Sequence, residues 1–250
     1  MVAHPEALMI QIRGLSVRRG EKTLFEQLNV DIQPGKVVTV LGPNGAGKSS
    51  FLLSLLNLIT RESGDVRFDD QPLPELSRQK LAKIMAWQGD LPPAEFGLTV
   101  VQRLLLASDG GAQEEINDAL AFMDLEKLRN RALAELSSGE RQRVEIAALM
   151  VQDNPIWLMD EPTAHLDMRH QADCLKLMKK EAQKGRLIIT VLHNLQQAAA
   201  VADMVILLDG KAGVEVGAAD DMLQAAKLEP VFGVLLSGKG RDLKQVYGEE

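Results

Sequence analysis

Four short apolar runs stand out along the chain, at residues 37–41, 156–159, 187–192 and 204–208. They are rich in Val, Ile and Leu, which is typical of strands buried on both faces, as parallel strands are when helices cover each side of a sheet. Segments with helical spacing lie between the later runs. The pattern therefore predicts an α/β fold with a mostly parallel core sheet.

The N-terminal part has a different pattern, in which residues 8–17 and 24–32 alternate in part and a turn follows at Gln33-Pro34-Gly35. This predicts N-terminal antiparallel strands. Apolar spacing predicts a helix over residues 48–59, and a further helix over 168–184 that stops at Gly185. Arg61 to Gly64 are expected to form a turn.

The chain is interpreted as a single domain, 1–250, in three parts. Residues 1–89 and 155–233 form the predicted α/β core. Residues 90–154, with Pro92-Pro93 and Gly110-Gly111 inside them, are expected to form a helical subdomain. Residues 234–250, after Gly233, are glycine-rich and polar, and are expected to be a partly mobile C-terminal tail.

Charge, cysteine count and the length of apolar runs argue against several classes of protein. A net charge of −7 gives no basic footprint for nucleic acid. Cys174 is the only cysteine, which excludes an internal disulfide, and its place in a predicted helix favours a structural thiol. The first residues lack a secretory signal, and no run of about 18 apolar residues occurs. A cytoplasmic protein is therefore expected.

The glycine-rich segment Gly42 to Ser49 follows a predicted strand and opens a predicted helix. Glycine permits the backbone angles that turn successive N–H groups toward phosphate oxygens, and the helix N-terminus adds a partial positive charge. Lys48 is placed to reach the β- and γ-phosphates, and the Ser49 hydroxyl to hold Mg²⁺. This is a phosphate-binding loop.

Two further predicted strands end in polar groups. The run at 156–159 leads into Asp160 and Glu161, and His193 follows the run at 187–192. Ligands of α/β sheets bind at the carboxyl ends of the strands, so Asp160 is expected near Mg²⁺ and Glu161 beside the attacking water. His193 is expected near the γ-phosphate, although a surface histidine would also fit the local sequence.

Leu136-Ser137-Ser138-Gly139-Glu140 opens another predicted helix. Its free N–H groups could bind an anion. An ordinary N-cap, with Glu140 in the first turn, fits the local sequence equally well.

Taken together, these segments resemble the ATP-binding subunit of an ABC transporter along nearly the whole chain. The matching elements are Gly42 to Ser49 (Walker A), Gln88 (Q-loop), Leu136 to Glu140 (signature), Asp160 with Glu161 (Walker B), Asp167 (D-loop) and His193 (switch histidine).

The resemblance implies ATP and Mg²⁺ as cofactors, with Glu161, His193 and Lys48 as catalytic residues. It assigns Ser49, Gln88 and Asp160 to the metal. It assigns to ATP the residues Arg19, Gly42, Pro43, Asn44, Gly45, Ala46, Gly47, Lys48, Ser49 and Ser50.

The resemblance also implies a head-to-tail homodimer. In it, Ser137, Ser138, Gly139, Glu140 and Asp167 of one copy close the ATP site of the other. The implied partners are two membrane-spanning permease subunits and, indirectly, a substrate-binding protein, with no nucleic acid. The implied location is the cytoplasmic face of the inner membrane.

Three positions depart from the family pattern. Ser138 replaces a usual glycine, which would cost about 1 kcal/mol if this position needs a positive φ. Arg19 stands where a tyrosine usually stacks on adenine; a guanidinium can also stack on a base, and an exposed basic turn is an equal interpretation. Asn194 replaces a common aspartate.

The segment His165-Leu166-Asp167 followed by Arg169-His170-Gln171 resembles importers of iron-siderophores, haem and cobalamin, and Glu229 to Val234 also resembles that group. Cobalamin is narrowly the first choice. The alternatives are another transporter, including an exporter, or a soluble non-transport ABC ATPase. No heptad run separates Lys48 from Asp160, which argues against a chromosome-organising ATPase.

An apolar set near Gln88 is a candidate groove for a permease helix: Trp87, Leu91, Phe96, Leu98 and Val100. The alternative is that these residues pack within the helical subdomain, which is favoured for Leu98 and Val100.

Overall fold

The computed structural model describes residues 8–89, 97–108 and 113–246. Its strands are β1 (Ile10–Arg19), β2 (Lys22–Ile32), β3 (Val37–Leu41), β4 (Ser63–Phe68), β5 (Gln71–Pro72), β6 (Met85–Gln88), β7 (Ile156–Asp160), β8 (Leu187–Val191), β9 (Met204–Leu208), β10 (Val214–Ala218), β11 (Leu236–Ser237) and β12 (Lys244–Gln245). Its α-helices are α1 (Lys48–Leu55), α2 (Arg78–Ile84), α3 (Val100–Ala107), α4 (Gln113–Phe122), α5 (Ser138–Met150), α6 (Met168–Gln183), α7 (Leu195–Val201), α8 (Ala219–Met222) and α9 (Ala225–Phe232).

The core sheet has six strands in the order β10-β9-β3-β8-β7-β6. All neighbours are parallel except the edge pair β9 and β10. Successive side chains of a strand point to opposite faces. In β7, Trp157 and Met159 therefore join one apolar cluster while Ile156 and Leu158 join the other. The sheet is covered on both faces, which explains the continuous apolar runs and confirms the predicted α/β class.

The N-terminal strands form a second, antiparallel sheet in the order β2-β1-β4-β5. The expected turn over Arg61 to Gly64 is wrong in part, because Ser63 and Gly64 begin β4. Gly64 has φ +98° and lies so close to the backbone of Leu15 that a Cβ would overlap it. The glycine serves a close strand approach rather than a turn.

Helix α6 ends close to its predicted end, and helix α1 ends earlier than predicted. Helix α1 ends at Leu55, four residues before the expected end at Ile59, because Asn57 adopts a left-handed backbone with φ +56°. Helix α6 ends at Gln183 and Gly185 has φ +101°, as its stop signal predicted. Cys174 lies buried on α6, and burial raises the pKa of its thiol to about 12, in keeping with a structural role.

Within the described residues, the segment between β6 and β7 contains helices α3, α4 and α5 and no named strand. Their apolar faces join the same cluster that covers one face of the core sheet. The boundaries 1–89, 90–154, 155–233 and 234–250 stay predictions. Within residues 234–246, Leu236 and Leu243 are buried against the core. The mobility of the 234–250 tail stays a prediction.

The topology brings three strand ends together. β3, β8 and β7 are adjacent and parallel, with Val40 beside Val191 and Val191 beside Asp160. The glycine loop, His193 and Glu161 follow these three strands, so they emerge at one edge of the sheet. In the described part of the chain, no helix is long and apolar enough to cross a membrane.

Candidate nucleotide-binding site

The glycine loop joins β3 to α1 and depends on glycine at two points. Gly42 has φ +147°, and a Cβ there would overlap the carbonyl oxygen of Leu208; Gly47 has φ +105°, and its Cβ would lie 2.8 Å from that of Leu24. Gly47 is also the N-cap of α1, and no side chain caps this helix end. The first N–H groups of α1 are thus free of side-chain acceptors, as an anion site requires.

Lys48 is the first residue of α1 and is buried. Its Nζ donates to the carbonyl oxygens of Gly42, at 2.9 Å, and Pro43, at 3.0 Å. Burial lowers the pKa of Lys48, and the nearby charges of Glu161 and Asp160 partly oppose this shift. The loop therefore holds a poorly hydrated cation that gains by meeting an anion.

A cleft of about 640 Å³ lies over the loop, a volume suited to a nucleotide-sized ligand. It is lined by Arg19, Leu24, Asn44, Gly45, Gly47, Lys48, Ser49, Ser50, Glu161 and His193. The structure thus places the predicted Arg19 in the same cleft as the loop. Leu24 was missed, as was Lys22, whose Nζ donates to Gly45 O at 3.1 Å. No local signal marks these β2 residues, because the fold alone brings β2 to the loop.

A smaller cavity of about 140 Å³ adjoins the cleft and shares Ser49 and Glu161 with it. Its lining comprises Ser49, Gly89, Gln142, Asp160, Glu161, Ala164 and His165. The sequence analysis had not singled out Gln142, which enters from α5. The Ser49 hydroxyl and the Asp160 carboxylate give the cavity oxygen donors of the kind that Mg²⁺ prefers.

Gln88 was predicted as a further metal ligand, and its side chain is buried at the end of β6. Its Nε2 donates to Gly89 O at 2.8 Å and lies 3.4 Å from Asp160 O. The Oε1 atom is buried without a hydrogen-bond partner in the structure. A buried carbonyl left unpaired is costly, so this oxygen is a candidate cation ligand, and Gln88 itself lines neither the small cavity nor the cleft.

Glu161 and His193 meet at the edge of the cleft. His193 Nε2 lies 2.5 Å from Glu161 Oε1, and both side chains are about half exposed. Glu161 adopts a left-handed backbone with φ +51°, a strained conformation for a residue with a side chain. This left-handed residue turns the chain just after Asp160. Asp160 lines the small cavity, and Glu161 lines both the small cavity and the larger cleft.

The signature segment forms the N-cap that the sequence allowed. Ser137 Oγ accepts from Glu140 N at 3.2 Å, and Glu140 Oε2 accepts from Ser137 N at 2.8 Å, a complete capping box. Hydrogen bonds from the backbone N–H and from the hydroxyl of Ser137 to the carboxylate lower the pKa of Glu140. The backbone strain considered for Ser138 is absent, because Ser138 begins α5 and its φ is not positive. None of residues 137–140 lines the cleft of its own chain.

Asp167 is the N-cap of α6 and accepts from His170 N at 2.9 Å. The hydrogen bonds from His170 lower the pKa of Asp167. Asn194 caps α7 in the same way, since its Oδ1 accepts from the backbone N–H groups of Gln196 and Gln197. The residue that replaces the family's aspartate is therefore a neutral helix cap next to His193.

The apolar set near Gln88 is only partly described. Leu91 and Phe96 lie outside the described residues. Val100 is fully buried, which supports its favoured role in packing, and Leu98 and Trp87 are half-buried.

The family model described as "ABC transporter" matches residues 25–164, more than half of the chain. The chain belongs to the ABC transporter family. It is accordingly an ATP-binding protein of the ATPase type that this family shares.

Two relatives match almost end to end. A petrobactin import ATP-binding protein of Bacillus subtilis is 32% identical, with 91% of this chain and 94% of the relative covered. A hemin import ATP-binding protein of Hahella chejuensis is 36% identical, with 90% and 93% covered.

Solved structures agree on the fold. An inward-facing putative metal-chelate type ABC transporter aligns with a TM-score of 0.80 at 23% identity, covering 96% of this chain and 98% of that one. A bacterial Atm1-family ABC exporter with ATP bound aligns with a TM-score of 0.77 at 24% identity, covering 87% and 40%. The ABC ATPase fold predicted from the sequence is thus confirmed.

Proposed function

We propose that this chain is the ATP-hydrolysing subunit of an importer for an iron chelate, a siderophore or haem. The observation that carries the proposal is the end-to-end similarity to petrobactin and hemin import ATP-binding proteins. Cobalamin was the narrow first choice from the sequence, and these relatives favour iron chelates over it. As an ATPase of such a system, the chain would act on the cytoplasmic face of the inner membrane.

In this proposal the glycine loop holds the ATP phosphates through its N–H groups. Lys48 leaves the carbonyl oxygens of Gly42 and Pro43 for the phosphate oxygens, where its charge is better matched. Arg19 contributes a guanidinium plane against adenine at the cleft wall. Ser49, Asp160 and Gln88 would hold Mg²⁺, which supplies charge neutralisation at the phosphates.

Glu161 serves as the group that orients water. Its carboxylate accepts a hydrogen bond from water, whose oxygen attacks the γ-phosphorus as the bond to the bridging oxygen of ADP breaks and the water's proton passes to the carboxylate. In the structure the carboxylate contacts His193 instead. Once ATP is bound, His193 turns to a γ-phosphate oxygen and frees Glu161 for water.

A second copy completes the site in the proposed dimer. Support comes from the signature segment, where Ser137 and Ser138 are exposed and lie outside their own cleft. Asp167 of the same surface would face the partner's cleft, and dimer closure would drive two permease subunits served by a substrate-binding protein.

The catalytic part is tested with Glu161→Gln in the full chain. The variant keeps the shape and loses the charge, so we expect turnover to fall at least about 100-fold while ATP is retained and a dimer accumulates. ATP hydrolysis and light scattering with and without ATP measure the two effects. Glu26→Gln, an exposed carboxylate on β2, is the control. Turnover equal to that of the parent would remove Glu161 from the mechanism.

The transport part is tested by co-expressing the chain with the permease encoded beside it. Proteoliposomes holding the complex and its binding protein should take up a ferric siderophore or haem when ATP is supplied on the side of this chain. Uptake of cobalamin alone would restore the first sequence-based choice. Export of solute would replace the importer assignment, and failure to assemble with any membrane protein would favour a soluble ATPase.

A further inference from the structure

The turn at residues 162–166, which follows Glu161, is contacted by three helices. From α5, Gln142 Nε2 donates to Pro162 O at 3.0 Å, and a Cβ on Gly139 would lie 2.7 Å from His165 O. From α6 and α7, two glutamine side chains reach the same turn. The turn therefore joins the signature helix, the helix that starts after Asp167 and the helix that starts after His193.

The two glutamines and Thr163 form a closed ring of hydrogen bonds. Thr163 Oγ1 donates to Gln197 Oε1 at 2.8 Å, and Gln197 Nε2 donates to Gln171 Oε1 at 3.0 Å. Gln171 Nε2 then returns to the turn, at 3.3 Å from Thr163 O and 3.1 Å from Leu166 O. Thr163 is buried and both amides are half-buried. Water competes poorly for such groups.

The direction of every bond in the ring is fixed by its ends. Main-chain carbonyls can only accept, so Gln171 must present its NH₂ to Thr163 O and Leu166 O. Its Oε1 must then accept from Gln197, whose own Oε1 is left to accept from the Thr163 hydroxyl. Neither amide can flip without losing hydrogen bonds, which makes the ring a rigid connection.

This ring spans the two catalytic candidates. Thr163 lies two residues after Glu161, and Gln197 lies four residues after His193 on α7. The Glu161 and His193 side chains themselves are about half exposed and have only the 2.5 Å contact between them in common. Their backbones are already linked through the adjacent strands β7 and β8, where Glu161 N donates to Val191 O at 3.2 Å. The ring adds a second link, between the 162–166 turn and α7.

We propose that Gln197 is a positioning residue, which holds α7 against the 162–166 turn and so sets His193 relative to Glu161. The proposal rests on the catalytic roles proposed above for those two residues. The same turn also contains Leu166 O, which accepts from Gln171, and Pro162 O, which accepts from Gln142 on α5.

The first experiment compares Gln197→Leu with Gln196→Leu in the full chain. Both remove one amide from α7, but only Gln197 belongs to the ring, and Gln196 is exposed. We expect Gln197→Leu to lower kcat for ATP about tenfold, as the loss of one or two hydrogen bonds implies. The Kd for a fluorescent ATP analogue should change less than about twofold, since no ring residue lines the cleft.

The conservative pair Thr163→Val and Thr163→Ser provides a rescue test. Valine matches the shape of threonine without its donor, whereas serine keeps the hydroxyl, so kcat should fall in the first variant and stay within about twofold of the parent in the second. Equal kcat for valine and parent, or a common loss of nucleotide affinity and thermal stability, would overturn the proposal in favour of a merely structural ring.

The second experiment asks whether Gln197 acts through His193. Gln197→Leu is combined with His193→Ala, and kcat of the double variant should equal that of His193→Ala alone. An undiminished additional loss would overturn the proposal. If His193→Ala itself has the parent's kcat, the role proposed for His193 fails instead, so the two failures are distinguishable.

Discussion

Helices α1 and α5 both begin after a short loop, but the N-terminus of α1 is uncapped and that of α5 is closed by a capping box. Both present N–H groups at a helix N-terminus that the family resemblance assigns to phosphate. At α1, Gly47 provides no cap, and the first side chain is the buried Lys48. At α5, Ser137 and Glu140 satisfy each other's backbone N–H in a capping box.

The difference separates a site built for a ligand from a site that is stable alone. The N-terminus of α1 has no side-chain cap, and the buried Lys48 is hydrogen-bonded to two neutral main-chain carbonyls, so a bound anion would stabilise both. The N-terminus of α5 is already stabilised, and it places the negative Glu140 where an approaching phosphate would be repelled. The N-terminus of α5 is therefore stable without a ligand, whereas that of α1 is suited to bind one.

The largest expected effect is at α1. Lys48→Ala removes the cation that the loop carbonyls hold, and we expect ATP hydrolysis to fall at least about 100-fold, the loss typical of one donor to developing charge. Steady-state phosphate release measures it. Lys22→Ala, which removes only the contact to Gly45 O, should cost about fivefold or less. If both variants lost ATP hydrolysis to the same extent, the buried position of Lys48 would not distinguish it from Lys22.

The second-largest effect is expected on stability, when the glycine at each helix N-terminus is replaced by alanine. Gly47→Ala puts a Cβ in a left-handed residue 2.8 Å from the Leu24 Cβ, and we expect about 2–3 kcal/mol lower stability in urea unfolding. Gly139 is helical, so Gly139→Ala gains about 1 kcal/mol of helix propensity against its clash with His165 O. Its net change should be smaller. A reversed order would contradict the distinction drawn between the two helices.

The capping box predicts a smaller loss that is confined to α5. Ser137→Ala should lower the free energy of unfolding by about 1 kcal/mol, and Ser137→Asp, which keeps an acceptor at the N-cap, should restore most of it. Urea denaturation without nucleotide is the measurement, so that no dimer contact enters. No loss in the alanine variant would show that the capping box contributes nothing to the stability of α5.

The smallest effect depends on pH. Ser137 holds the pKa of Glu140 below its usual range, so the carboxylate stabilises the fold above its unfolded pKa and loses this contribution as pH falls through the folded pKa. Glu140→Gln keeps an acceptor but no charge. The parent should exceed it in stability at pH 7, and the two should converge in acid. Glu26→Gln serves as the control, and a pH-independent difference would contradict the prediction.

Local pattern was enough to predict much of this molecule. The buried strands at 37–41, 156–160 and 187–191 follow from their apolar composition, and the glycine loop from its motif between a strand and a helix. Errors arose where a single residue outweighed the pattern. Asn57 ended α1 early, and Gly64 serves a close approach of two strands instead of the expected turn.

The sequence by itself determined the chemistry, because the donors, the carboxylates and the strand ends that carry them are local facts. Only the tertiary structure decided which other residues contact them. Lys22 and Leu24 reach the loop because β2 lies beside it, and Thr163, Gln171 and Gln197 form one ring because α6 and α7 meet at one turn. Such contacts join residues far apart along the chain, and no periodicity or motif encodes a distance between them.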